Sequence, residues 1–398
     1  MGHAFFLAWK SLRWHRGRSI ILVCSLALTL WFPITIRLLL NQFRDEIASR
    51  SDQTPLIVGA LGSRIDLVLH GLYFDKPPSQ LITMAEADYV HEAGFGTAIP
   101  IDATFRIQGT RQTTGAPIVG TVPEYFEFRR LSVRAGTMFS MPGECVVGAA
   151  LAAKMKLSPG DAVLSAPRNA FNLAGDYPIR MHVTGILQPS ASADDDVVFT
   201  DLQTVWIIRG IGHGHQDLSA ADDPGLILNR NQTEIVGSAA VLPFTEITRE
   251  NRDSFHFHGD PSEFPVSAVI VLPDSQKSHT MLLGRYASDR QTVQCVSAAV
   301  VIQELLEIVF RAEQLLRIST WTAGLVTALM GGLVISLSMR LRASEMQTME
   351  HLGCGKWMVF RLLAAEIIML LSAGVCLAAA GGFVTHRMMS HFLRMLIF

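Results

Sequence analysis

The stretch that most constrains this chain runs from Ile318 to Phe398. An apolar run, ISTWTAGLVTALMGGLVISLS, leads into a charged loop, MRLRASEMQTMEHLGCGKWMVFR. A second apolar run, LLAAEIIMLLSAGVCLAAAGGFV, follows. About 20 apolar residues at a ~1.5 Å rise cover the ~30 Å hydrocarbon core of a bilayer. A segment in lipid must satisfy its own backbone, so both runs are expected to be helices. Gly324, Gly331, Gly332, Gly374, Gly381 and Gly382 are costly in a soluble helix but common where membrane helices pack closely. The competing reading is a buried helical hairpin of a soluble protein. Composition weighs against it. At 49% hydrophobic and 17% charged residues, with mean hydropathy +0.31, the chain suits a membrane part joined to a soluble part.

The loop carries Arg340, Arg342, Lys356 and Arg361, which the positive-inside rule places in the cytoplasm. The N-terminus, AFFLAWKSLRWHRGR, reads as a basic amphipathic helix. Phe5, Phe6, Trp9 and Leu12 fall near one face, and Lys10, Arg13, Arg16 and Arg18 carry the charge. A first span follows. Pro33 is expected to kink it, and Arg37 to snorkel to the far surface. Its apolar run is long for a signal peptide and no small-x-small site follows, so it reads as an uncleaved anchor.

The predicted order is a cytoplasmic helix at 1–18, a span at 19–41, an external domain at 42–316, a span at 317–339, a cytoplasmic loop at 340–357 and a span at 358–384. Residues 385–398, too short to span as a helix, are expected at the outer face. The fold class is thus membrane α-helical with three transmembrane helices and a large mixed α+β domain between the first two.

Within the external region, LIVGALGS and RIDLVLHGLYF show apolar alternation bounded by turn signals. TMAEADYVHEAG reads as a helix with Thr83 as N-cap and Glu86 completing a capping box. TAIPIDATFRIQG and APIVGTV read as strands. A later strand leads into a helix of small residues, Ala149 to Lys154, then a Pro-Gly turn and another strand. VVFTDLQTVWIIRG reads as a strand and a short helix capped by Asp201, and FPVSAVIVLP as a strand. SAAVVIQELLEIVFRAEQLLR, 297–317, is an amphipathic helix expected to run straight into the second span as a stalk. No internal repeat stands out.

Two sets of residues carry a family resemblance. In the loop these are Glu345, Leu352-Gly353-Cys354-Gly355, Lys356, Arg361 and Glu366. In the external region they are Pro123-Glu124-Tyr125-Phe126, Gly136, Glu144-Cys145-Val146-Val147-Gly148, Leu157-Ser158-Pro159-Gly160-Asp161 and Val183-Thr184-Gly185-Ile186-Leu187. Together they resemble the MacB/FtsX/LolC-type ABC transporter permeases, the type VII or mechanotransmission family. Met349 and His351 stand where that family usually has Leu and Ala, and relatives usually have a fourth span. The resemblance implies a bacterial inner-membrane permease with a cytoplasmic N-terminus and a periplasmic domain. It implies a second permease copy in a homo- or heterodimer, and a separate ATPase subunit that binds ATP on the cytoplasmic face. Glu345, Met349, Leu352, Gly353 and Lys356 would couple to that ATPase. The permease itself would not be an enzyme.

The residues themselves limit the chemistry. No G-x-x-x-x-G-K-[ST] occurs, since GCGKW lacks the spacing, and there is no H-E-x-x-H or G-x-S-x-G. A formal net charge of −2 gives no basis for a nucleic-acid partner. The five cysteines follow no zinc-ribbon or redox spacing, although a Cys145–Cys295 disulfide is conceivable outside the cytoplasm. Glu366 is the main ionisable group in the spans. It is either a functional intramembrane carboxylate or an interfacial partner of Arg361 or Lys356.

The histidines stand out. His213-Gly214-His215 precedes Asp217, and His256-Phe257-His258 precedes Asp260, with His279 nearby in sequence. Histidines at i and i+2 share a side of an extended chain, and imidazole with carboxylate suits Zn²⁺. The alternative is ordinary loop histidines. Asp194-Asp195-Asp196 lacks an EF-hand pattern and reads as a solvated turn. Three functions follow as expectations. The first is an ABC permease acting by mechanotransmission on a periplasmic cargo or protein. The second is zinc binding or handling at the membrane, and the third an FtsX-like regulator of a cell-wall hydrolase.

Overall fold

The structure, a computed structural model, describes residues 2–14, 16–109, 115–166, 178–214, 227–230, 235–237, 244–341, 351 and 356–397. Contacts divide the chain into two units, residues 48–304 and residues 1–47 with 305–398.

The elements run in chain order as α1 (Gly2–Trp14), α2 (Arg16–Asp52), β1 (Leu56–Ala60), α3 (Arg64–Tyr73), β2 (Ile82–Thr83), α4 (Ala85–Glu92) and β3 (Gly96–Arg106). Next come β4 (Pro117–Thr121), α5 (Pro123–Arg129), β5 (Val133–Gly136), β6 (Glu144–Val147), α6 (Ala149–Met155), β7 (Ala162–Leu164) and β8 (Arg180–Leu187). After these lie β9 (Val198–Asp201), α7 (Leu202–Arg209), β10 (Gly212–Gly214), β11 (Ile227–Arg230), β12 (Ile235–Gly237) and β13 (Phe255–Phe257). The chain closes with β14 (Pro265–Val266), β15 (Ala268–Pro273), α8 (Gln276–Asp289), β16 (Val293–Val296), α9 (Ala298–Leu341) and α10 (Lys356–Ile397).

The unit at 48–304 is built on one 10-stranded sheet of order β16-β1-β15-β3-β4-β9-β6-β8-β5, with β7 paired to β8. The β4–β9 and β6–β8 pairs are parallel, and the other pairs of this sheet are antiparallel. Leu56, Ile57 and Val58 are all fully buried, as are Val269, Ile270 and Val271. Consecutive apolar residues of this kind mark strands covered on both faces. One apolar core gathers around β6, β7 and β8 with α6 and α7, and another around β1 and β15 with α4 and α8.

Local chemistry sets the helix ends. Asp201 accepts a hydrogen bond from the Thr204 amide at 2.6 Å, so it caps α7 as its sequence predicts. The helix stops at Gly210, whose φ of +85° suits a residue without a Cβ. The stretch 64–73 is a helix, not a strand. Ser63 caps it by accepting from the Asp66 amide, and its apolar residues line one helical side. The expected capping box at Thr83 is also corrected. Thr83 ends β2, paired with Pro265, and α4 starts one residue beyond Met84 without a side-chain cap. Glu86 is instead buried, accepting from the Tyr286 hydroxyl and from Arg290 at 2.7 Å each. The Cys145–Cys295 disulfide is absent. Both thiols are free, on strands β6 and β16, which lie well apart in the sheet order. Burial pushes the Cys295 thiol up to about 12 and Cys145 higher still.

Among the described residues of the helical unit, two helices are long and apolar enough to cross a membrane, at Ser19–Asn41 and Phe360–Thr385. The apolar part of α9, Ile318–Leu333, is shorter than that requirement. Pro33 lies inside α2 without ending it. Residues 385–397 continue α10 as one helix. Close packing uses two of the glycines. A Cβ on Gly374 would come within 2.6 Å of Leu26, and one on Gly381 within 2.8 Å of Trp31. A Cβ on Gly324, Gly331 or Gly332 would meet no other part of the described residues within 4 Å. The Thr29 and Thr327 hydroxyls meet at 3.1 Å, and the Trp31 indole donates to Thr385 at 3.1 Å.

Candidate metal centre and a buried ion pair

β10 and β13 form a two-stranded antiparallel ribbon of unusual composition, Gly-His-Gly opposite Phe-His-Phe. His213 pairs directly with His256, so both project from the same face. The His258 amide donates to the Ile211 carbonyl at 3.3 Å, which continues the pairing one step and brings His258 to that face as well. The opposite face is apolar. Phe255 and Phe257 pack on the core, and Phe257 lies 6.3 Å from the Trp206 ring and 6.0 Å from Phe264. The glycines make this possible. A Cβ on Gly212 would sit 2.5 Å from the Phe257 ring, and one on Gly214 would sit 2.6 Å from the Phe255 ring.

The result is three imidazoles together on one side. The His213 ring centroid lies 4.6 Å from His256 and 5.0 Å from His258, and His256 lies 5.0 Å from His258. One ligand nitrogen from each falls within 4.8 Å of the others. His213 and His256 are half-buried and His258 is exposed. The His256 Nδ1 is 3.2 Å from the Ser254 carbonyl. Of the predicted ligands, the structure brings together His213, His256 and His258, while His215 lies outside the described residues. His279 is on α8, apart from the cluster.

A second cluster was not foreseen. Asp194 and Asp195 are buried, at 2% and 7% exposure, in the 3-10 turn Ala193–Asp196. The expectation of a solvated acidic turn is therefore corrected. Arg50, in the last turn of α2, donates to both Asp194 oxygens, Nη1 at 2.7 Å and Nη2 at 2.9 Å. Its Nε donates to the Leu72 carbonyl at 2.6 Å. The Tyr125 hydroxyl donates to Asp194 at 2.7 Å, and Ser192 donates at 2.9 Å. Burial pushes the Asp194 carboxyl up, but the Arg50 charge and the hydrogen bonds outweigh it and hold the group at about 2. Asp195 accepts from the Ser190 and Ala191 amides at 2.9 Å each, which closes the turn. Arg129 lies over the Phe128 ring at 4.4 Å and donates to Thr54 at 2.9 Å.

Among the remaining predicted residues, Glu345, Met349, Leu352 and Gly353 lie outside the described residues. Lys356 is the first residue of α10. Glu366 is buried and accepts from the Ser11 hydroxyl at 3.4 Å.

The MacB-like periplasmic core domain family matches residues 19–225, just over half of the chain. The chain belongs to that family. It is a permease of the MacB/FtsX-like ABC transporter class, a membrane protein with a MacB-like periplasmic domain. No curated protein matches it significantly. Among solved structures, the periplasmic region of MacB from Actinobacillus actinomycetemcomitans is 10% identical. That match covers 63% of this chain and 92% of the other, with a TM-score of 0.34. The extracellular domain of the noncanonic ABC-type transporter YknZ from Gram-positive bacteria is 12% identical, over 61% and 98%, with a TM-score of 0.33. In the MacB-like domain of this chain, the matched range contains Arg50, Tyr125, Asp194 and His213, but not His256 or His258.

Proposed function

We propose that this chain is the transmembrane subunit of an inner-membrane ABC transporter whose separate ATPase drives motion of the periplasmic domain. The observation that carries the reading is the family match, which takes in the first apolar helix and eight of the ten strands of the main sheet. Two further features support it. α2 and α9 are each unbroken helices that combine an apolar stretch with residues of the sheet domain. Large apolar side chains on all three long helices are exposed, among them Ile21, Phe32, Trp321, Leu333, Ile368 and Phe383, as lipid-facing residues are. In this reading α9 is the second of three spans and the loop at 340–357 is cytoplasmic, where Glu345, Met349, Leu352, Gly353 and Lys356 dock the ATPase. A dimer of permeases then transmits ATP-driven closure to a periplasmic cargo or protein.

The test uses the full chain co-expressed with its ATPase. Gly353→Pro and Leu352→Asp should each abolish co-purification of the ATPase and its stimulated hydrolysis, with the melting of the periplasmic domain unchanged. Retention of both activities in both variants overturns the coupling role.

A further inference from the structure

We propose that His213, His256 and His258 form a binding site for one divalent transition-metal ion of the Zn²⁺ class, with a coordination position left for a solvent or exogenous ligand. The site lies on the β10–β13 ribbon and does not depend on the transport mechanism.

Three features carry the assignment. The donor set is three imidazoles, the ligand type that suits Zn²⁺, Co²⁺ and Ni²⁺ and disfavours Mg²⁺ and Ca²⁺. The three come from two strands whose register places them on one face. Their nitrogens already lie within 4.8 Å of one another. Tetrahedral zinc with ~2.0–2.1 Å bonds needs ligand nitrogens roughly 3.3 Å apart. Rotation about the side-chain bonds is the movement that would bring the nitrogens to that spacing. The scaffold is suited to hold them. The phenylalanines behind the ribbon are anchored in the core, and the glycines opposite admit them. The second shell contributes too. With Nδ1 of His256 donating to the Ser254 carbonyl, the ring takes the tautomer in which Nε2 bears the lone pair. Three protein ligands and one exchangeable position are the arrangement of an accessible zinc centre, whereas buried structural sites are closed by four. With His258 exposed, the ion is open to solvent and to a partner's side chain.

The experiment is a zinc titration of tag-free full-length protein in detergent micelles, by competition with a chromophoric chelator. One equivalent of Zn²⁺ should bind, and Mg²⁺ or Ca²⁺ at the same concentration should not displace it. Co²⁺ should give the intense visible bands of a four-coordinate nitrogen site. Combined His256→Ala and His258→Ala replacement should weaken binding by more than about 100-fold, the upper range for loss of a second-shell partner alone. His279→Ala should leave it unchanged. His258→Gln alters one exposed side chain and is expected to fold. It should weaken binding at least about tenfold. Absence of binding in the wild type, or wild-type affinity in the His258→Gln variant, overturns the site.

Discussion

The Arg50–Asp194 cluster and the histidine ribbon solve opposite problems within the same sheet domain. Each assembles side chains from distant parts of the chain. At Asp194 the carboxylate is answered from within by a buried arginine. A bidentate guanidinium, a phenol and a serine hydroxyl occupy the carboxylate, which is buried. At the ribbon, three groups of one kind converge at a partly exposed surface. Three imidazoles cannot neutralise one another as an acid and a base do. A set complementary to itself serves structure, and a set complementary to a cation serves binding.

That contrast can be broken most directly at Arg50. Arg50→Ala leaves Asp194 charged and buried, so the domain should lose about 3–5 kcal/mol in denaturant unfolding. Replacing both Arg50 and Asp194 with leucine should cost less than either single alanine change. Equal or greater loss in the double variant would show that the pair contributes more than mutual neutralisation.

Acid provides a second, smaller probe. The Asp194 carboxyl sits at about 2 in the folded chain against an ordinary 3.8. Because the folded value is depressed, its stabilising contribution is full above about pH 4 and is lost as pH falls toward 2. The amount is about 2 kcal/mol. Unfolding followed from pH 5 to pH 2 should show this slope in the wild type and lose it in Asp194→Asn. A persisting slope would assign the acid sensitivity elsewhere.

The smallest effect belongs to the back of the ribbon. Gly214→Ala drives a Cβ into the Phe255 ring and should cost on the order of 1 kcal/mol in stability. It should also lower zinc affinity without touching a ligand. Unchanged affinity would mean that the ribbon's seating on the core does not position the imidazoles.

Much of the fold was legible because local chemistry repeats. Asp201 at the head of a short helical run announced an N-cap, and the long apolar run at 19–41 announced a membrane-length helix. The His-x-His spacing showed that two histidines could share a strand face, and it picked out three of the eventual cluster. It could not show that His213 and His256 face each other, because cross-strand register is a long-range property. Thr83 and Glu86 had the spacing of a capping box, but pairing of Thr83 with β14 and burial of Glu86 beneath Tyr286 and Arg290 prevailed. The acidic run at 194–196 misled for a related reason. Burial of a carboxylate depends on a counter-charge, and Arg50 lies 144 residues away. Pro123-Glu124-Tyr125-Phe126 carried a family resemblance but said nothing of Tyr125's partners.

The sequence by itself determined the apolar runs at 19–41 and 360–385, the Asp201 cap, the family and the kinds of side chain available for metal or charge. These depend on composition, on periodicity and on contacts a few residues apart. Tertiary structure alone decided which aspartate was buried, which arginine met it and which histidines came together. Those outcomes depend on strand register and on packing between segments far apart in the chain, where one residue of slip exchanges the two faces of a strand.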